Sequence, residues 1–205
     1  MSESVIIEIK AKALHEHISS KPTDTFAGKP RGLVKDAKIE VSKQYLERID
    51  PPPKALIRFG GYVGASAIAW GAILRELNGA GSAVGIKAYT FELSSVNASI
   101  ARDFIRRAGL EDIVHVVEGS AAHSLRILFE EGRLRKGGVD VAFSDYWEKF
   151  YLPDLQLCED LGLFRKGSKV IADNTDFPGA PAYLEYVKAG GRQRGPYRYE
   201  SESVE

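Results

Sequence analysis

Ala55-Leu-Ile-Arg-Phe59, then Gly60-Gly-Tyr-Val-Gly64-Ala-Ser66, then Ala67-Ile-Ala-Trp-Gly-Ala-Ile-Leu-Arg-Glu-Leu77 is the stretch that decides the fold. It reads as a short buried strand, a glycine-rich turn and an apolar helix ended by Asn78-Gly79. Glycines at such a turn let backbone N–H groups approach a ligand closely, beside the positive end of the helix. The same alternation continues downstream. Ile86 to Glu92, Val114 to Val117, Val139 to Ser144 and Lys169 to Ala172 read as four more strands. Ser95 to Ala108, His123 to Glu131, Leu152 to Leu161 and Pro181 to Lys188 read as the helices between and after them. Strand–helix alternation implies a mostly parallel sheet with helices on both faces.

Outside this core the pattern changes. Residues 1–50 are charged and mostly helical in spacing, with a loop from Lys21 to Arg31 and a stop at Pro51-Pro52-Pro53, since proline cannot continue a helix. Residues 191–205 are polar and read as an edge strand or a loose tail. The chain is therefore expected to be one domain over residues 1–205, with a helical cap at 1–50, an α/β core at 54–190 and a tail at 191–205.

The composition is that of a soluble globular protein, 44% hydrophobic and 27% charged. Lys plus Arg is 28 and Asp plus Glu is 28, so no net charge draws the chain to nucleic acid or to an anionic membrane. No apolar run approaches the ~20 residues that span a bilayer. Met1 to Lys10 is too short and too acidic for a signal peptide. A single cysteine, Cys158, fits a reducing, cytoplasmic location.

Three carboxylate-bearing positions carry the chemistry. Glu92 ends the strand after the glycine turn, where an acid is the usual acceptor for the two ribose hydroxyls of an adenosine ligand; the alternative is a solvated acid at a strand end. The glycine spacing is not G-x-G-x-x-G, which argues against a dinucleotide. Asp145 ends the fourth strand, and Asp173-Asn174 end the fifth. Ligands bind at that end of an open α/β sheet, and three converging oxygens suit Mg²⁺. The alternative is structural: Asp145 capping a helix and Asp173-Asn174 forming a side-chain turn. A Mg²⁺ held there would bind two adjacent hydroxyls of an aromatic diol and lower their pKa.

At this point the chain resembles one family, the Mg²⁺- and S-adenosyl-L-methionine-dependent catechol O-methyltransferases, from about Thr25 to Gly190. The segments that carry the resemblance are Phe59 to Ser66, Ala108 to Asp112, Asp145 to Asp154, Gly162 to Gly167, Ala172 to Asn174, Phe177 to Gly179 and Tyr183 to Val187. The resemblance implies a Rossmann-like methyltransferase fold. It implies Asp145, Asp173 and Asn174 as metal ligands. It places Gly60, Tyr62 and Ser66 along the methionine end of the methyl donor, with Ala27 closing over it. Glu92 would hold the ribose, Gly119 and Ser120 would lie near the adenine, and Tyr146 would stack on it. Trp147 and Pro178 would wall a catechol or phenol substrate.

The departures are as informative. The family has an acid just before the glycine turn, placed for the methionine ammonium; here Arg58 stands there. A cation repels that ammonium unless it turns away or pairs with an acid. The family's general base is a lysine after the tryptophan. Here Glu148 holds that position, and Lys149 follows. A carboxylate is the weaker base, with a typical pKa of about 4.3 against about 10.4 for an amine. Ala121 and Ala122 replace polar residues near the adenine, and the aromatic gate falls at the polar stretch Thr23 to Thr25. The final hairpin, with its antiparallel last strand, is missing or altered, which leaves a sheet edge and a tail that could join two copies in a homodimer.

Three readings follow. The leading one is an O-methyltransferase acting on an ortho-dihydroxy aromatic with S-adenosyl-L-methionine and Mg²⁺, through Glu148 or Lys149 as base. The second is a family member that has lost methyl transfer. The third is a metal-independent methyltransferase whose acids are structural.

Overall fold

The computed structural model describes residues 3–21, 43–44, 46–79 and 84–203. Helix α1 (Glu3–Ser19) precedes five alternating units: β1 (Ala55–Phe59), α2 (Ala65–Leu77), β2 (Lys87–Glu92), α3 (Ser95–Arg107), β3 (Val114–Glu118), α4 (Ala121–Glu130), β4 (Val139–Ser144), α5 (Tyr151–Asp160), β5 (Phe164–Ala172) and α6 (Pro181–Lys188). The strands form one parallel sheet in the order β3-β2-β1-β4-β5. The order reverses direction at β1, so β2 and β4 flank it and open a crevice at their C-terminal ends. The mostly parallel α/β sheet with flanking helices expected from the sequence is the architecture observed.

Alternation along the strands sorts the side chains into two cores. Leu56, Ala88, Val141 and Phe143 face α2 and α3, where Trp70, Ile73, Phe104 and Ile105 are buried. Ile57, Phe59, Tyr89 and Phe91 face α4, α5 and α6, where Leu125, Leu155 and Tyr183 are buried. Arg58 lies between Leu56 and Phe59 in sequence and falls on the first of these faces, in register with Thr90 of β2 and Phe143 of β4. Gly71 lets α2 lie directly on β3, because a β-carbon there would collide with Val114.

β5 is longer than the four-residue strand read from the sequence. Phe164 pairs with Val139, and pairing resumes at Lys169 opposite Val141. The intervening residues form a bulge pinned by Ser168, whose hydroxyl donates to the Val139 carbonyl (2.7 Å) and accepts from the Arg165 amide (3.0 Å). The outer edge of β5 pairs with no other strand among the described residues. Arg165, Lys166 and Lys169 are carried on that strand, and cations on an edge oppose pairing with another copy. No helix among the described residues is long and apolar enough to cross a membrane.

The tail is neither an edge strand nor loose. It crosses back over α5 and α6 without regular structure. Tyr197 packs edge-on against Phe164, and the Tyr199 hydroxyl donates to Glu159 (2.6 Å). Buried Glu159 also accepts from the Tyr186 hydroxyl (2.6 Å) and pairs with Arg192 (3.3 Å). This one carboxylate ties the tail to two helices. Tyr199→Phe should lower the unfolding free energy by about 1.5–3 kcal/mol, as for a hydrogen bond to a charged acceptor. Urea denaturation checks it, and a change within error would mean that the tail is not anchored through Glu159.

Candidate active site

The crevice is built by a close approach. Gly60 has φ +89°, a conformation that L side chains rarely adopt, and a β-carbon there would collide with the Asp145 carbonyl and with Tyr146. The Asp145 amide donates to the Phe59 carbonyl (3.2 Å), which holds β4 against the turn. Gly61 lies equally tight against Glu92. The turn and the acid corner of β4 are thus a single packed unit. They could not be so if either glycine bore a side chain.

Glu92 serves the turn. Its carboxylate accepts from the Tyr62 amide (2.5 Å) and the Ser94 amide (2.9 Å). Tyr62 itself has φ +43° and an exposed ring. Ser66 is half-buried in the first turn of α2. Gly119 donates its amide to the Glu92 carbonyl (2.9 Å). Ser120 caps α4, its hydroxyl accepting from the His123 amide (3.4 Å). Gly60, Tyr62, Ser66, Glu92, Gly119 and Ser120 are therefore gathered along the C-terminal ends of β1, β2 and β3. Ala27 and the gate at Thr23 to Thr25 lie outside the described residues.

Asp145 and Asp173 stand at the ends of neighbouring parallel strands, joined by the bond from the Asp173 amide to the Ser144 carbonyl (2.9 Å). Neither carboxylate is idle. Asp145 Oδ2 accepts from Arg58 Nη2 at 3.2 Å, and Asp173 Oδ1 accepts from the Asn174 amide at 2.7 Å. The Asp145 contact is not the helix cap that the sequence allowed; it is an ion pair. Arg58 is 4% exposed, lies 6.0 Å from the Phe143 ring centre, and has Nε and Nη1 buried without a hydrogen-bond partner among the described residues. Burial pushes the guanidinium pKa down, and Asp145 and then Glu92 push it back up. Removing Asp145 would leave the Arg58 charge buried without its counter-ion.

This arrangement bears on Mg²⁺. Among the described residues no group of three or more His, Cys, Asp or Glu side chains could hold a metal ion. Of the oxygens on the two strand ends, one of Asp145 is committed to a buried cation and one of Asp173 to its own turn. A hard divalent ion needs anionic oxygens, and at Asp145 it would have to share the carboxylate with the Arg58 guanidinium or displace it.

The aromatic residues form a rim. Trp147 is 59% exposed, and Lys149 Nζ lies 4.7 Å from its ring centre and 5.0 Å from that of Phe150. Lys149 is therefore turned outward along the rim, with its charge on aromatic faces. Glu148 is half-buried and opens the short turn Glu148–Phe150. That turn packs against the turn Thr175–Gly179, which carries exposed Phe177 and Pro178. Tyr146 faces inward instead. Its ring stacks with Phe59, Phe150 and Tyr151, and its hydroxyl donates to Asp154 (2.6 Å). The ring is partly buried against the second core.

Two residues were missed by sequence reasoning. The Tyr151 hydroxyl donates to the Asp173 carbonyl (3.0 Å) and accepts from the Tyr146 amide (3.4 Å). Asp154 is buried beneath Tyr146. Their spacing of three on the first turn of α5 puts both on the face toward the sheet, and that spacing was the available signal.

Burial raises the Asp154 pKa above its ordinary 3.8, while the Tyr146 hydroxyl pulls it down. In the window above 3.8 the folded chain keeps a proton that the unfolded chain has lost. Stability from this group is therefore full below that window and falls as pH rises through it. Asp154→Asn keeps an oxygen acceptor for Tyr146 and removes the proton linkage. Its stability relative to the wild type, from urea titrations at several pH values, should improve as pH rises from 3.8. A difference that is flat with pH would contradict this.

Comparison with known proteins adds the lineage. No family profile matches the chain. It is 32% identical over 165 residues to the catechol O-methyltransferase of Sus scrofa, covering 80% of this chain and 78% of that protein. It is 33% identical over 155 residues to that of Bos taurus, covering 75% of this chain and 53% of that one. It is 36% identical over 136 residues to catechol O-methyltransferase B of Danio rerio, covering 66% and 48%. The chain thus spans about half the length of the last two. Among solved structures, an O-methyltransferase of Bacillus cereus in complex with SAH superposes with a TM-score of 0.58 at 21% identity, over 92% of this chain and 80% of that one. The O-methyltransferase TomG of Streptomyces achromogenes in complex with SAM does so at 0.58 and 18%, over 92% and 79%. These two likenesses concern the fold.

Proposed function

Because the chain belongs to the catechol O-methyltransferase family, we propose that it transfers the methyl group of S-adenosyl-L-methionine to one hydroxyl of a catechol or related ortho-dihydroxy aromatic. The observation that carries this reading is the packed unit of glycine turn and acid corner at the point where strand order reverses. There the turn Gly60–Ser66 receives the methionine end of the donor through Gly60, Tyr62 and Ser66. Glu92 receives the ribose; each carboxylate oxygen has more than one lone pair, so the amides it already serves do not exhaust it. Gly119 and Ser120 flank the adenine. Asp145 and Tyr146 form the floor between donor and acceptor.

The acceptor lies between Trp147 and Pro178, on the rim formed by the two packed turns. Glu148 takes the proton of the reacting hydroxyl. The oxygen then forms its bond to the methyl carbon as the carbon–sulfur bond breaks, leaving S-adenosylhomocysteine. Lys149 holds the Trp147 ring by its charge. Positioning supplies most of the acceleration. No step in this reading runs through a divalent ion. Cys158, an unpaired buried thiol, keeps the cytoplasm as the expected compartment.

A second reading is favoured by one observation. Arg58 stands just before the turn that would receive the donor's ammonium, so that position offers no acid to it and also engages the nearby Asp145 carboxylate. A family member without methyl transfer follows if the donor does not bind.

Transfer of labelled methyl from S-adenosyl-L-methionine to a panel of simple catechols tests the first reading. Labelled product is expected, and Glu148→Gln should lower kcat by about 10²-fold or more with KM little changed. No product across the panel, together with no calorimetric heat on titrating the donor, would replace the first reading by the second.

A further inference from the structure

We propose that the Arg58 guanidinium is the resident cation of this corner: it neutralises Asp145 from inside the fold, so the site takes no divalent ion. This deepens the reading above, since it names the positive charge that faces the reacting groups.

The argument begins with place. Arg58 rises from the central strand, two residues before the glycine turn, on the face it shares with Phe143. Its neighbours leave it no route to water: it is 4% exposed, with Thr90 beside it on β2 and Phe143 beside it on β4. A guanidinium does not give up its proton in a protein, so the positive charge is permanent and must be met by an anion nearby. Asp145 meets it at 3.2 Å, with Glu92 the next acid to act on it.

A divalent ion at Asp145 would therefore have two effects. It would draw the carboxylate from Arg58, leaving a buried charge whose Nε and Nη1 already lack hydrogen-bond partners among the described residues. It would also bring two further positive charges beside that guanidinium in a low-dielectric setting, where repulsion is strong. An internal guanidinium and an external divalent ion are alternatives at this carboxylate. The fold has built in the first.

Electron paramagnetic resonance of Mn²⁺ tests this on the whole chain without recourse to turnover. The wild type should leave the free Mn²⁺ signal unattenuated up to millimolar protein. Arg58→Met removes the charge but keeps an unbranched side chain, and should bind Mn²⁺ at least an order of magnitude more tightly than the wild type. Attenuation by the wild type that disappears in Asp173→Asn would overturn the proposal. So would a folded Arg58→Met chain with no gain. If Arg58→Met does not fold, Arg58→Gln and the wild-type titration decide between the same outcomes. The methyl-transfer reading stands or falls separately. Turnover unchanged by EDTA supports both, and turnover lost in EDTA and restored by Mg²⁺ keeps that reading and overturns this one. An absence of turnover leaves the Mn²⁺ result to judge the corner alone.

Discussion

The structure turns on a contact that contains no side chain. Gly60 presses on the Asp145 carbonyl so closely that a single methyl group would not fit between them. That approach fuses the loop after the first strand to the end of the fourth. It fixes where the Asp145 carboxylate can point, and it aligns the start of α2 with the acid corner. Glu92 completes the unit from the other side by holding the amides of Tyr62 and Ser94. The crevice thus owes its shape to backbone fitted against backbone. It holds that shape before any ligand arrives, which is what positioning catalysis requires.

Against this rigid frame the charges are arranged unusually. A carboxylate at a sheet terminus is ordinarily available to solvent or a ligand. Asp145 instead faces a buried cation contributed by the neighbouring strand. The pair sits at the margin of a core that contains Trp70 and Phe143, so its net neutrality matters for folding as well as for chemistry. One residue type at position 58 thereby changes the character of the corner.

Much of this was legible in the sequence, for physical reasons that can be named. Strand–helix alternation set the parallel sheet, and Gly60, Gly61 and Gly64 marked the turn because only small residues fit a strand-to-helix junction that tight. Asp145 and Asp173-Asn174 were correctly gathered at one sheet end, since strand polarity alone places them there. The pairing of Arg58 with Asp145 was not legible. Which face an odd or even strand position takes depends on register, and Arg58 meets Asp145 only through the lateral pairing of β1 with β4. Nor was the inward turn of the Tyr146 hydroxyl legible; it follows from the Asp154 carboxylate eight residues on, in the first turn of α5. The tail was read as strand or coil by its polarity; Tyr197 packing on Phe164 and Tyr199 bonding buried Glu159 gave it a third outcome.

Tyr151 has a consequence of its own. From the first turn of α5 its hydroxyl reaches both strand ends at once, accepting from Tyr146 after β4 and donating to Asp173 after β5. The helix therefore works as a brace across the mouth of the crevice. The spacing between the two acids is governed by a residue that lines neither of them. A packing change deep beneath α5, around Leu155 or Cys158, would be felt as a widening or narrowing of that mouth. In this fold the tolerance of the reaction centre to drift is written into the layer behind it.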